Sequence, residues 1–350
     1  MAFLKISSPH AHGPMSTARV MRLVIISTLP GLVALTWFFG FGTLSNVLWA
    51  SAGALAFEAL ALKLRKRPLG FYLSDCSALV TAVLLGIALP PAAPFWLLLI
   101  GIGFAILLCK HMYGGMGYNP FNPAMAAYVF LLISFPVEMT DWLAPRGAVP
   151  ASELLGPVEA LLRSLGIASG GQLDGVSMAT PLDILKQNDG LLLADLWAQT
   201  PQYGQFAGIG WEWVNIAFLL GGLYLLYRRV FTWHAPISML IALSIMALLF
   251  YDGGSSASGG GVLFHLLSGA TMFGAFFIVT DPVSSAVSNR GRIAYGATIG
   301  VLIYVIRAWG NYPDAVAFSV LLMNFAAPFI DHYTQPRTYG HRKQKAQEKG

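Results

Sequence analysis

The sequence predicts an all-α polytopic membrane protein with about ten transmembrane helices in two inverted five-helix repeats. Three observations predict it. Hydrophobic residues make up 56% of the 350 and charged ones only 11%, against about 25% charged in an average soluble chain. Ten apolar runs are long enough, or nearly so, to cross a bilayer. Lysine and arginine are concentrated in alternate connections between those runs. A soluble globule of this size could not cover so much apolar surface, so a soluble enzyme, a nucleic-acid-binding domain and a secreted disulfide scaffold are excluded. Two cysteines, Cys76 and Cys109, are too few for an internally ligated iron–sulfur cluster. The polar, mixed opening MAFLKISSPHAHGP shows no cleavable signal peptide before the first run.

The runs cover approximately 20–39, 42–62, 74–91, 94–112, 122–137, 213–228, 233–250, 262–280, 293–308 and 315–332. Several are short or broken by Gly and Pro. The third ends at Pro90-Pro91 and the fifth starts within GMGYNPFNP, the pattern of helices interrupted inside a membrane. With the N-terminus cytoplasmic, 17 of the 21 Lys and Arg fall on the inner face. The outer side holds Arg146, Arg163 and Lys186, with Arg307 near an outer helix end. Both termini are then cytoplasmic.

Two stretches of the first half return in the second. SALVTAVLLGIALPP from Ser77 aligns with SGATMFGAFFIVTDP from Ser268, and NPFNPAMAAYVFLLISFP from Asn119 with NYPDAVAFSVLLMNFAAP from Asn311. Five spans per copy is odd, so the copies are inverted. The chain divides into a first membrane repeat (1–137), an outer loop (138–212), a second membrane repeat (213–333) and a cytoplasmic tail (334–350).

The outer loop carries nine of the sixteen acidic residues. ASELLGPVEALLRSLG from 151 reads as a short amphipathic helix and DGLLLADLWAQTPQYGQF from 189 as a second. Between them, Thr180 before Pro181 and Asp183 reads as a helix start with proline at its first position. Helix-start amides equally suit a phosphate, and the residues alone leave both readings open.

Within or beside the spans lie Glu58, Asp75, Asn119, Asn122, His265, Asp281 and Asn324, polar groups of a kind that is costly in lipid and often functional. Glu58 stands near Lys63 and Arg65, which suggests either a snorkelling ion pair or a functional role. Freed backbone carbonyls at Asn119–Pro123 suit an ion or a flavin. No dinucleotide fingerprint is present.

The strings YGGMGYNPFNPAM from Tyr113, DGVSMATPLD from Asp174, HLLSGATMFGAFFIVTDPV from His265, NRGR from Asn289, NYPDAVAFSVLLMN from Asn311 and YTQPRTYGHRK from Tyr333 closely resemble the NqrB/RnfD family. The nearer likeness is to its RnfD branch, from the Rnf/Rsx ion-translocating electron-transport complexes. NqrB of the sodium-pumping NADH:quinone reductases is a more distant likeness. The resemblance covers about residues 1–343. It implies an FMN joined through its phosphate to a threonine hydroxyl in an S-x-A-T context, here Ser177, Met178, Ala179 and Thr180, with Asp174 opening the string. Met178 stands where glycine is common.

A second such string, Ser268-Gly269-Ala270-Thr271, falls inside the eighth span, beyond reach of a flavin transferase working from outside water. Its small residues suit close helix packing, and Thr271 remains a candidate to line a cofactor pocket. The resemblance further implies a second, noncovalent flavin such as riboflavin, with Asn119 and Asn122 as candidate contacts. It implies other Rnf/Rsx components (A, B, C, E and G) as partners carrying iron–sulfur clusters and flavins. It also implies surrounding membrane lipid, no nucleic acid, and electron flow coupled to a sodium ion or proton across a bacterial inner membrane. Other classes that suit the same spans are a small-solute channel or transporter and a structural anchor without a redox role.

Overall fold

The computed structural model describes residues 16–167, 178–188, 190–255, 258–310, 312 and 315–334. Asp174 and Ser177 lie outside the described residues, as do Lys5 and the basic tail from Arg337 to Lys349. No strand forms among the described residues; two isolated bridges, Arg146–Val149 and Tyr203–Gly208, are the only β pairing there.

Each predicted apolar run is helical. The first five hold α1 (Thr17–Phe39), α2 (Gly42–Leu64), α4 (Ser77–Ala88), α5 (Phe95–Gly103, continued as a π-helix over Phe104–His111) and α6 (Pro123–Ser134). The last five hold α11 (Trp211–Tyr227), α12 (His234–Leu249), α13 (Val262–Leu267) with α14 (Thr271–Phe273, continued as π over Gly274–Ile278), α15 (Asn289–Trp309) and α16 (Val316–Thr334). Short helices α3 (Leu69–Leu73), α7 (Pro136–Thr140), α8 (Pro157–Ser164), α9 (Pro181–Lys186) and α10 (Leu193–Gln199) lie in the connections. Among the described residues, four helices, α1, α2, α15 and α16, are long and apolar enough to cross a membrane. At 1.5 Å per residue, the 12 residues of α4 and of α6 reach only about 18 Å, well short of a hydrocarbon core of about 30 Å. The chain is a multi-pass membrane protein in which some apolar segments are half-helices.

Local chemistry sets these bounds. Ser16 caps α1 by accepting from Arg19 N–H. Asn122 caps α6, its side chain accepting from Ala124 and Met125 N–H, with Pro123 at the first helical position, so the second half of NPFNP starts that helix, the preceding π segment having ended at His111. The connection over 138–212 departs from the expected single helix after residue 151. Ala151–Glu153 forms one 3-10 turn and α8 starts afresh at Pro157, because proline cannot continue a preceding helix.

Glycine lets the long helices touch. Gly31 of α1 sits against the Phe218 ring and Gly221 of α11 against Ser27 O, while Gly296 and Gly300 of α15 lie on the Ala235 and Met239 carbonyls of α12. A side chain at any of these would collide with its neighbour, so the small residues fix close approach. In the first half α2 packs on α4 and α5; in the second, α12 packs on α13 and α15. The halves meet where α1 lies on α11 and α6 on α16.

Candidate functional site

At one end of the helices, α9 presents Thr180. Thr180 is the N-cap in extended conformation (φ −69°, ψ 156°), Pro181 follows, and Asp183 completes a reciprocal capping box. The residue is half-buried and Ala179 beside it exposed. Around Thr180 stand Phe39, Trp142 and Trp211, whose rings contact one another with centroids 5.1–6.5 Å apart. The gap between them measures about 10 Å³, room for a water and not for a ring system, so a group held by Thr180 must lie over the turn. The turn is anchored from below. Tyr203 donates to Pro181 O at 2.9 Å and stacks on Trp197, and Leu182, Leu196, Tyr203 and Phe264 of α13 form a small separate core. Burial pushes the Tyr203 phenol pKa up, since charge is disfavoured away from water.

The second S-x-A-T string is placed quite differently. Ser268, Gly269 and Ala270 form a break between α13 and α14, and Thr271 is 0% exposed. Its hydroxyl donates to His265 O (2.8 Å) and Ser268 O (2.9 Å) and accepts from Arg307 Nη2 (3.0 Å). Arg307, expected at an outer helix end, is 5% exposed and also donates to His265 O at 2.9 Å. Asn215 of α11 holds the other side of the break by donating to Leu267 O and Gly269 O and accepting from Met272 N–H. Carbonyls freed by the break thus find donors inside the protein.

At the opposite end of α1 and α11, a cavity of about 570 Å³ opens between the two halves, within the size range of small-molecule sites. Val20 and Met21 of α1 line it, whereas Phe39 lines the Thr180 end. At 1.5 Å per residue the two places are about 28 Å apart. The cavity wall combines Phe231, Trp233, Phe276 and Phe277 with Ser77, Lys110, Asn119, Asn122, Asp281 and Arg292. The structure therefore brings Asn119 and Asn122 together in one cavity, keeps Ser268 and Thr271 out of it, and sets Thr180 apart from both. Asn324 of α16, with its amide oriented to satisfy both ends, accepts from Asn122 N–H (3.0 Å) and donates to Tyr295 Oη (2.7 Å), Val320 O and Ser284 O (3.2 Å each). It pins the start of α6 to the second half.

Glu58 does not snorkel towards Lys63 or Arg65. It is 2% exposed. Its carboxylate accepts from Lys110 Nζ at 2.9 Å on both oxygens and lies 3.0 Å from His111 Nε2. Lys110 also donates to Ser77 Oγ (2.8 Å), which donates to Asp75 Oδ1 (2.6 Å). Lys110 and His111 end the π segment after α5. Sequence reading missed both because they resemble ordinary basic residues at a helix end. The only sign was two adjacent polar residues closing an uninterrupted apolar run.

The profile of the NQR2, RnfD, RnfE family matches residues 5–340. The chain is 62% identical to the protein of Cellvibrio japonicus named as the D component of the ion-translocating oxidoreductase complex, over 346 residues, covering 98% of this chain and 96% of that one. It is 58% identical to the component of the same name from Pseudomonas aeruginosa strain UCBPP-PA14 over 343 residues, 98% of this chain and 97% of the other. It is 51% identical to that of Aliivibrio salmonicida over 360 residues, 98% of this chain and 100% of the other. With most of its length matched by the family profile and by these relatives, the chain belongs to the NQR2, RnfD, RnfE family.

Proposed function

We propose that this chain is the membrane-embedded flavin relay of an ion-translocating oxidoreductase complex, with an FMN in phosphoester linkage to Thr180. The observation that carries this reading is the contrast between the two S-x-A-T strings. Thr180 is half-buried beside an exposed Ala179, whereas Thr271 is sealed and saturated with hydrogen bonds. Only the first is open to a transferase, and Asp174, Ser177 and Ala179 complete the string that the transferase reads. When bound, the flavin supplies one- and two-electron transfer. The chain's own part is to fix it: Thr180 holds the phosphate end, and Phe39, Trp142 and Trp211 stiffen the turn beneath it.

The cavity at the other end is the place for a second, noncovalent flavin such as riboflavin. Asn119 and Asn122 supply amide groups for the polar edge of its ring, and Phe276 and Phe277 an apolar wall. The partner components A, B, C, E and G deliver and remove electrons, coupled to movement of a sodium ion or proton. Ten spans in two inverted repeats fit the packing. Lys110 of the fourth segment reaches Ser77 of the third, and Arg307 of the ninth reaches Ser268 of the eighth, at the serines the sequence alignment pairs. The Thr180 end then faces the periplasm, and the termini the cytoplasm, of a bacterial inner membrane.

Replacement of Thr180 by alanine or valine is expected to abolish in-gel flavin fluorescence of the denatured chain while leaving it folded, and peptide mass spectrometry to find the FMN-sized addition on the Thr180 fragment. Addition elsewhere, or a colourless denatured chain as a solute channel or a structural anchor predicts, refutes the assignment. A reporter fused after residue 170 is expected outside and one after residue 66 inside; both on one side refutes the topology.

A further inference from the structure

Thr180 and Asp183 share three hydrogen bonds, and only two belong to a helix cap. Asp183 N–H donates to Thr180 Oγ1 at 3.3 Å and Thr180 N–H to Asp183 Oδ2 at 3.2 Å, the reciprocal pair of any such box. The third bond runs from the Thr180 hydroxyl itself, which donates to Asp183 Oδ2 at 2.6 Å, the length of an O–H···O⁻ bond. The cap does not need it. It directs the hydroxyl proton at a carboxylate and leaves one Oγ1 lone pair outside the box. That is the geometry of a nucleophile with its base already in place.

We propose that Asp183 is the general base that removes the Thr180 proton when the flavin phosphoester forms. This rests on the Thr180 attachment proposed above. The co-reactant is a flavin dinucleotide presented by a transferase from the aqueous side. Thr180 Oγ1 bonds to the phosphorus bearing the flavin, the pyrophosphate P–O bond breaks, and the nucleoside monophosphate departs with that electron pair. The hydroxyl proton passes to Asp183 Oδ2 and on to water. Nothing is oxidised or reduced.

The surroundings suit this. Lys186 on the same helix attracts the Asp183 carboxylate and offsets its charge beside an incoming phosphate. Tyr203 bonds to the turn through Pro181 O. Helix α15, which touches α9, carries no acidic residue, and its Arg307 is directed at the His265 and Ser268 carbonyls. Asp183 is therefore the one carboxylate bonded to the Thr180 hydroxyl among the described residues.

The experiment uses the full-length chain made without a flavin transferase, then incubated with purified transferase, Mg²⁺ and FAD, with attachment followed by fluorescence and mass. Asp183→Asn keeps an acceptor for Thr180 N–H and loses the base; its attachment rate is expected to fall about 100-fold. Asp183→Glu, which restores a carboxylate in a position where capping boxes favour glutamate, is expected to recover most of that loss. Equal rates for wild type and Asp183→Asn overturn the assignment, as does an Asp183→Glu rate no higher than that of Asp183→Asn. Should Asp183→Asn fail to fold, Asp183→Ser, which also keeps a side-chain acceptor at that position, takes its place, and a rate equal to that of wild type overturns the assignment. A wild-type chain that takes up no flavin at Thr180 refutes the attachment itself; one that loads while Asp183→Asn loads equally well refutes only the base.

Discussion

Arg307 donates to the Thr271 hydroxyl at 3.0 Å, so one of the chain's two S-x-A-T strings has its oxygen committed inside the protein. A cation from the end of α15 and a threonine at the head of α14 together close the gap left where α13 stops. Small-residue helix breaks in membranes need such donors, because no water is there to satisfy the carbonyls.

Replacing Thr271 by valine is therefore expected to leave covalent flavin unchanged. It strands the His265 and Ser268 carbonyls of one donor and removes an acceptor from Arg307, a cost of about 1–3 kcal/mol. The measurements are in-gel fluorescence and the thermal midpoint of the purified chain. Loss of the fluorescent band would place the attachment at the wrong threonine.

Glu58 and Lys110 form a buried ion pair, and breaking such a pair from either side is expected to cost about 3–5 kcal/mol. Glu58→Gln and Lys110→Met are each expected to lower the thermal midpoint. The double variant is expected to be less destabilised than the sum of the two, since no isolated charge remains. Strict additivity would show that the pair is not coupled.

Asn119→Ala and Asn122→Ala are each expected to reduce noncovalent flavin in the purified chain about tenfold, read as flavin released by heat, while the covalent band persists. Asn122 carries the further load of capping α6. Asn122→Asp keeps the cap, so it separates cofactor loss from helix fraying. Retention of full flavin content in Asn119→Ala would move the second flavin away from this cavity.

Tyr203 gives the Thr180 turn an alkaline limit. Burial raises its phenol pKa in the folded chain, so folding favours the protonated form. Its contribution is complete below the unfolded value of about 10 and is lost as pH rises from there towards the folded pKa. Proteolysis of the 138–212 loop is expected to accelerate above about pH 10 in the wild type and to depend less on pH in Tyr203→Phe. That variant also loses the bond to Pro181 O, so it is expected to start from a less protected turn at neutral pH. Identical pH profiles would remove Tyr203 from the anchoring of Thr180.

The features legible in the order of the amino acids are those that depend on near neighbours. Composition decides the solvent. Asn122 and Pro123 in NPFNP cap and start a helix, and Thr180, Pro181 and Asp183 start one by the same rule; in each case the hydrogen bonds that set the boundary run between residues two or three apart. The single helix expected after residue 151 failed at Pro157 because its apolar periodicity continues across a proline that the backbone cannot pass. Tertiary structure alone decided which polar groups meet. Lys110 reaches Glu58 across 52 residues and Arg307 reaches Thr271 across 36. In lipid a buried charge takes whichever partner the packing brings within reach. Neighbours in sequence such as Lys63 give no guide to that partner. The cavity with Asn119 and Asn122 is likewise a product of two halves meeting, and no stretch of either half contains it.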